Sequence, residues 1–305
     1  MSRLGALLLL LGVLTLMPFV TGCLSFHQGP MPGEPKGATF AEVEGARVRY
    51  VDTGGEGDAV VMVHGFASSL ETWDAVRPAV AEKGKRVIAL DLKGFGWTDR
   101  PEGDYSPEAQ ARIVLGLLTQ RGVERATVVA HSWGASVALA MALAAPERVS
   151  RMALYDAWAY EAQLPPFFHW ARASGVGETL FSLYYTERPD ERIALAFHDK
   201  SWVTEKLVED VEAALERPGT VAAALAAVRG QRYASVEPKY RTIKHKVLLL
   251  WGREDQVTPL AYGERLSRDL PQSKLVVYPA CGHFPMIEAI AASNRDLVAF
   301  LAEEP

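Results

Sequence analysis

Only two cysteines, Cys23 and Cys281, occur in the 305 residues. A four-thiolate zinc cluster or a disulfide framework cannot be built from two, so any metal would need histidine and carboxylate ligands. Basic charge is also scarce, with 32 Lys plus Arg against 37 Asp plus Glu and a net charge of −5. No stretch concentrates basic residues, so nucleic acid is not an expected partner. Compositional bias is lacking as well. Hydrophobic residues make up 49% and charged residues 23%, with 25 Gly and 18 Pro spread along the chain. That profile excludes disorder and collagen-like repeats and points to one large globular domain with an insertion.

What the chain does have at its start is Ser2-Arg3 followed by an apolar run from Leu4 to Val20, an export-type signal. The run ends Val20-Thr21-Gly22-Cys23, which resembles the bacterial lipobox. The resemblance implies that residues 1–22 are a lipoprotein signal peptide and that Cys23 is the lipidated first residue of the mature chain. The expected location is the cell envelope, with Leu24 in place of Asp favouring the outer membrane over the inner. An uncleaved anchor and ordinary secretion are the alternatives. Residues 23–38 are rich in Pro and Gly and read as a linker. If Cys23 is acylated, Cys281 is a free thiol, expected to be a small buried residue.

Beyond residue 38, short Val, Ile and Leu runs alternate with longer helical patterns, the signature of a parallel sheet with crossover helices. Strands are expected at Thr39 to Val43, Arg47 to Asp52, Ala59 to Val63, Arg86 to Leu90, Ala126 to Ala130, Arg151 to Tyr155, Lys246 to Trp251 and Lys274 to Tyr278. Helices are expected near Trp73 to Lys83, Pro107 to Arg121, Trp133 to Ala144, Leu260 to Leu270 and Pro285 to Ala302. The fold class is therefore α/β, a mostly parallel twisted sheet with helices on both faces. Its core spans 39–156 and 244–305. The rhythm stops over 157–243, where aromatic residues crowd an expected helical cap that would roof a largely apolar pocket.

The chemistry-bearing residues sit where strands end. Ala130-His131-Ser132-Trp133-Gly134 joins a strand to a helix, a turn that holds Ser132 in a strained conformation above the sheet. The segment resembles the nucleophile elbow of the α/β-hydrolase superfamily, with Ala130 in place of the first glycine. Asp255, after the strand from Lys246, and His283, after the strand ending at Tyr278, complete the superfamily's order of nucleophile, acid and base. Glu254 and Asp156 are competitors for the acid. The resemblance implies that His283 takes the Ser132 proton while Asp255 fixes the imidazole tautomer. It also implies an oxyanion hole from the backbone N–H groups of Phe66, after His64-Gly65, and of Trp133. His64 would brace its loop, and His131 reads as a packing or pocket residue. Asp91 to Thr98 resembles the superfamily's D-x-x-G-x-G-x-S loop, with Thr98 for Ser. No cofactor and no metal are implied.

A serine at the elbow leads first to hydrolysis of a small or medium apolar carboxylic ester through an acyl-enzyme. Cleavage of a carbon–carbon bond in a β-diketone-like substrate and a proline-iminopeptidase-like activity are the alternatives within enzymes. A catalytically idle envelope lipoprotein is the reading outside them. The expected partners are thus a small-molecule substrate and, through the N-terminal lipid, a membrane, with no obligate protein partner.

Overall fold

The computed structural model describes residues 24–303, so the lipobox and Cys23 lie outside the described residues. Eight strands form one sheet: β1 (Thr39–Val43), β2 (Ala46–Asp52), β3 (Ala59–Val63), β4 (Arg86–Leu90), β5 (Ala126–His131), β6 (Val149–Tyr155), β7 (Val247–Gly252) and β8 (Ser273–Tyr278). Their order is β1-β2-β4-β3-β5-β6-β7-β8. The first hairpin joins antiparallel, and every pair from β4 to β8 is parallel. Parallel strands are covered on both faces, which is why β3, β5 and β7 read as continuous apolar runs and are buried at every residue. Each Val or Leu so buried contributes about 1.5–3 kcal/mol. At the edge, β8 is only half-buried.

Helices α1 (Arg77–Ala81), α2 (Pro107–Gln120) and α3 (Trp133–Ala144) connect the first half of the sheet. The Ser106 side chain caps α2 by accepting from the Ala109 N–H, and Pro107 takes the first helical position, where its missing N–H costs nothing. Between β6 and β7 lie five helices: α4 (Pro166–Ala171), α5 (Val176–Tyr184), α6 (Pro189–Ala196), α7 (Glu205–Leu215) and α8 (Thr220–Gly230). The chain closes with α9 (Leu260–Asp269), α10 (Pro285–Glu288) and α11 (Ile290–Ala302). Two hydrophobic clusters cover the two sheet faces. One contains Ile113 of α2 and Leu139 of α3; the other contains Trp73, Val80, Met286 and Leu297. Among the described residues no helix is long and apolar enough to cross a membrane.

Three local expectations are corrected. The helix expected over 73–83 is a 3-10 turn, Leu70–Trp73, followed by the short α1, because Pro78 has no N–H with which to continue a helix from Asp74. The helix expected over 285–302 breaks at Ala289. There Ser293 Oγ donates to the carbonyl oxygens of Pro285 and Ile290 at 3.0 and 3.4 Å. The described part of the expected linker is docked on the body. Met31 is buried, the backbones of His27 and Arg100 exchange hydrogen bonds, and Glu34 pairs with Arg47 at 2.7 Å.

From β3 the chain crosses to β4 on one side and then returns to place β5 on the other. Connections therefore diverge at the carboxyl ends of β3 and β5, the position at which open α/β sheets form their ligand crevice.

Candidate functional site

Ser132 leaves β5 with φ 52° and ψ −122°, a region that costs an L-residue about 1–3 kcal/mol. Backbone bonds hold it there: its N–H donates to Tyr155 O at 2.9 Å, and its carbonyl accepts from Ala135 and Trp158 at 2.9 and 3.0 Å. A side chain at Gly134 would bring Cβ to 2.4 Å from His64 O and 2.6 Å from Val63 O, so only glycine lets α3 start against β3. Ala130 fits in place of the first glycine of the elbow pattern, its methyl packed in the core. Left-handed backbone recurs at Ala67, Asp156 and Ala280, so four of the six non-glycine residues with positive φ among the described residues follow carboxyl ends of strands around this crevice. Strain of that kind concentrates at functional sites. Only the Ser132 instance was legible in a motif.

The acid and the base are brought together directly. Oδ2 of Asp255 lies 2.7 Å from Nδ1 of His283, which places the donated proton on Nδ1 and leaves Nε2 as the acceptor. The turn after β7 approaches the His283 loop so closely that a Cβ on Gly252 would fall 1.8 Å from Gly282 O. Asp255 also accepts from the N–H groups of Val257 and Thr258 at 2.7 and 2.9 Å, and Thr258 Oγ1 donates to Oδ2 at 2.5 Å. Burial opposes ionisation of Asp255, but the adjacent imidazole and the Thr258 donors more than offset it, and the carboxyl sits below its ordinary pKa. Glu254 braces the same loop instead, accepting from Cys281 N–H at 3.0 Å.

Asp156, the other competitor, lies wholly buried beside this pair. One carboxyl oxygen accepts from Gly252 N–H at 2.9 Å and the other has no hydrogen-bond partner. Desolvation, followed by the charge of Asp255, pushes Asp156 well above the ordinary carboxylate range. The ligand atoms of Asp156, Asp255 and His283 fall within 4.8 Å of one another. The chemistry of this donor set does not suit a cation. Asp255 is already saturated by four donors, and His283 Nδ1 is the one of them that faces it with a ring proton.

His131, the residue before Ser132, touches His283 directly. The ring of His131 lies 4.6 Å from that of His283, and its Nε2–H donates to His283 O at 2.8 Å. Burial, reinforced by His283, drives the His131 pKa well down, so no second charge opposes an imidazolium at His283. No hydrogen bond between Ser132 Oγ and His283 closes among the described residues, where His283 contacts Asp255, Thr258, His131 and Ala196. Nucleophile–base bonds are often loose without substrate and tighten on binding. The N–H of Trp133 opens α3, where no intrahelical acceptor exists, and Phe66 lies on the turn opposite, its ring 6.0 Å from that of Trp133. His64 braces that turn, with Nδ1 donating to Gly65 O at 2.7 Å and Nε2 accepting from Leu92 N–H at 2.9 Å. Asp91 closes the glycine loop by accepting from Leu70 and Trp97 N–H groups at 2.7 and 2.8 Å.

The helices between β6 and β7 cover the crevice. Phe168 and Tyr185 stand 6.0 and 6.4 Å from Phe66, centroid to centroid. Sequence reading missed how firmly this cover grips the base. His283 N–H donates to Ala196 O at 2.6 Å, and Glu288 accepts from Gly282, His198 and Asp199 N–H groups at 2.8–2.9 Å. A cavity of about 690 Å³ lies elsewhere, lined by Leu24, Phe26, Tyr105 and Leu225 among others.

Residues 60–296 match the model of the alpha/beta hydrolase family. The sequence is 32% identical over 261 residues to a 2-hydroxy-6-oxo-2,4-heptadienoate hydrolase of Pseudomonas putida, covering 82% of this chain and 91% of that protein. It is 31% identical over 264 residues to a 2-hydroxy-6-oxo-6-phenylhexa-2,4-dienoate hydrolase of Burkholderia cepacia, covering 83% and 91%. Among solved structures, a meta-cleavage product hydrolase from Pseudomonas fluorescens IP01 aligns with TM-score 0.73 at 29% identity, over 86% of this chain and 97% of that one. A thermophilic esterase from Thermogutta terrifontis aligns with TM-score 0.73 at 25% identity, over 87% and 97%.

Proposed function

The chain belongs to the alpha/beta hydrolase family, and from that premise we propose that it hydrolyses the carbon–carbon bond beside a ketone in a hydroxy-oxo-dienoate, using Ser132, His283 and Asp255. The observation that carries this reading is the relatedness to two dienoate hydrolases over more than four-fifths of the chain. It displaces the ester as the leading substrate, because the elbow identifies the nucleophile and leaves the leaving group open.

The residues have the roles that the chemistry needs. Ser132 Oγ adds to the ketone carbon as His283 Nε2 takes its proton, and the N–H groups of Phe66 and Trp133 face the oxygen that becomes negative. Once the substrate's 2-hydroxyl proton has moved to the carbon beside the ketone, the carbon–carbon bond breaks with its electron pair delocalised onto the 2-oxygen as a dienolate, which takes the proton from His283. Water, deprotonated by the same imidazole, releases the acyl group from Ser132 as a carboxylic acid. The net change is addition of one water across one bond. Asp255 holds the Nδ1 tautomer throughout. Ester hydrolysis uses the same steps with an alkoxide leaving group, and the esterase neighbour supports it as a second reading. The Val20 to Cys23 segment supports attachment of the enzyme to the envelope by lipid at Cys23.

The test is turnover of methyl- and phenyl-substituted 2-hydroxy-6-oxo-dienoates, followed by loss of their conjugated absorbance. Decay with the wild type and none with Ser132→Ala is expected. Intact dienoates alongside rapid hydrolysis of nitrophenyl esters would replace the leading reading with the second.

A further inference from the structure

The helices that cover the crevice have two unlike faces. Inward, Phe168, Phe181 and Tyr185 are buried in a cluster with Trp158 and Leu225. Outward, Phe167, Trp170, Leu183, Tyr184, Leu195 and Trp202 are exposed by 43–61%. All but one of the large hydrophobic side chains exposed among the described residues lie in this stretch. The carrying elements are joined: α4 packs on α5, Arg192 of α6 donates to the Tyr184 and Tyr185 carbonyls ending α5, and Lys200 donates to Ala194 and Phe197. Scattered apolar side chains on a surface need no account, whereas a concentration of them marks an interaction site.

Leu24, the first described residue, packs against the inner cluster of these same helices. Four residue steps separate it from Val20, the end of the apolar run, and four steps span at most about 14 Å. Whether that run stays in a bilayer or is replaced by a lipid on Cys23, the attachment point lies within one short reach of the cluster. Tryptophan and tyrosine suit the boundary between water and lipid, where an apolar ring body and a polar tip are both satisfied.

We propose that the outer face of α4, α5, α6 and the Lys200–Trp202 turn rests on the surface of the bilayer that holds the N-terminus. The inference goes beyond the reaction and holds whichever bond Ser132 attacks. It rests on the export reading of residues 1–23. Its consequence for function is direct, since α6 carries Leu195 on this face and the Ala196 carbonyl that receives the His283 N–H.

The seven tryptophans provide the readout, because Trp170 and Trp202 are the two with exposed side chains. The full chain is reconstituted into phosphatidylcholine–phosphatidylethanolamine vesicles whose acyl chains carry bromine, a contact quencher. Emission is expected to fall relative to unbrominated vesicles, to be insensitive to added salt, and to lose this response in the Trp170→Phe, Trp202→Phe double variant. In the Leu183→Glu, Leu195→Glu variant the quenching should shrink several-fold while turnover in detergent solution is retained. Unchanged emission in brominated vesicles, with aqueous iodide still quenching both tryptophans, would overturn the proposal. So would shielding from iodide without vesicles together with a doubled mass in detergent, which would assign the face to a second copy of the chain. Loss of dienoate and ester turnover with quenching intact would reject the catalytic reading alone.

Discussion

Asp156 and Asp255 follow neighbouring strands and their acidities are pushed in opposite directions, because one carboxyl is saturated by donors and the other is desolvated with an oxygen left over. A buried acid with a raised pKa makes stability fall as pH rises. Below the ordinary carboxylate range both folded and unfolded chains hold the proton; above it the unfolded chain gains by ionising and the folded chain does not. Asp156→Asn keeps the neutral form, so its melting temperature should exceed that of the wild type at about pH 8 and converge with it near about pH 4. A wild-type advantage at the higher pH would show that the carboxylate is ionised in the fold. For Asp255 the sign is opposite: its lowered pKa contributes stability above the ordinary range, lost as pH falls through the folded value. Its larger effect is on rate. Asp255→Asn should lower kcat by about four orders of magnitude, the cost of the wrong tautomer in serine-protease triads, and His283→Ala should remove nearly all turnover with the melting temperature little changed. Near-normal rates in either variant would remove that side chain from the mechanism. At this scale the motifs singled out Ser132, Asp255 and His283, of which the structure joins Asp255 to His283 directly. The buried Asp156–Gly252 and His131–His283 contacts were hidden, since both depend on how residues more than 90 positions apart in the chain meet.

The strand-end turns work because elements approach more closely than side chains allow. At Gly134 a methyl group would press into the backbone of β3, and overpacking of this kind costs about 1–3 kcal/mol. Gly134→Ala should therefore lower the melting temperature by several degrees and reduce turnover through displaced Ser132; unaltered thermal unfolding would show that α3 can shift freely. Most elements were legible because a doubly covered strand must be apolar at every position and a crossover helix must follow it, as at Ala59–Val63 and Trp133–Ala144. The broken helices were less so. Apolar spacing continues through Ala289 and past Asp74, while a Ser293 side-chain bond and the proline at 78 decide where hydrogen bonding stops.

As a whole molecule, the protein is a covered hydrolase fold whose N-terminal segment lies along its body. Composition suggested a linker there because Pro and Gly are frequent, and an ion pair, a backbone exchange with Arg100 and the buried Met31 fasten its described part to the body. Cys281 reports on the integrity of this assembly. It is fully buried, and desolvation pushes its thiol pKa up, so iodoacetamide at neutral pH should leave it unmodified in the native protein and label it in urea. Rapid native labelling would reveal opening of the loop that carries His283. The most direct test of the whole account is reaction of the full chain with a fluorophosphonate probe, followed by mass spectrometry of the adduct. The account predicts one modified residue, Ser132, and no modification after Ser132→Ala or after unfolding. Attachment elsewhere, or no attachment in a folded protein that still hydrolyses its substrates, would contradict it.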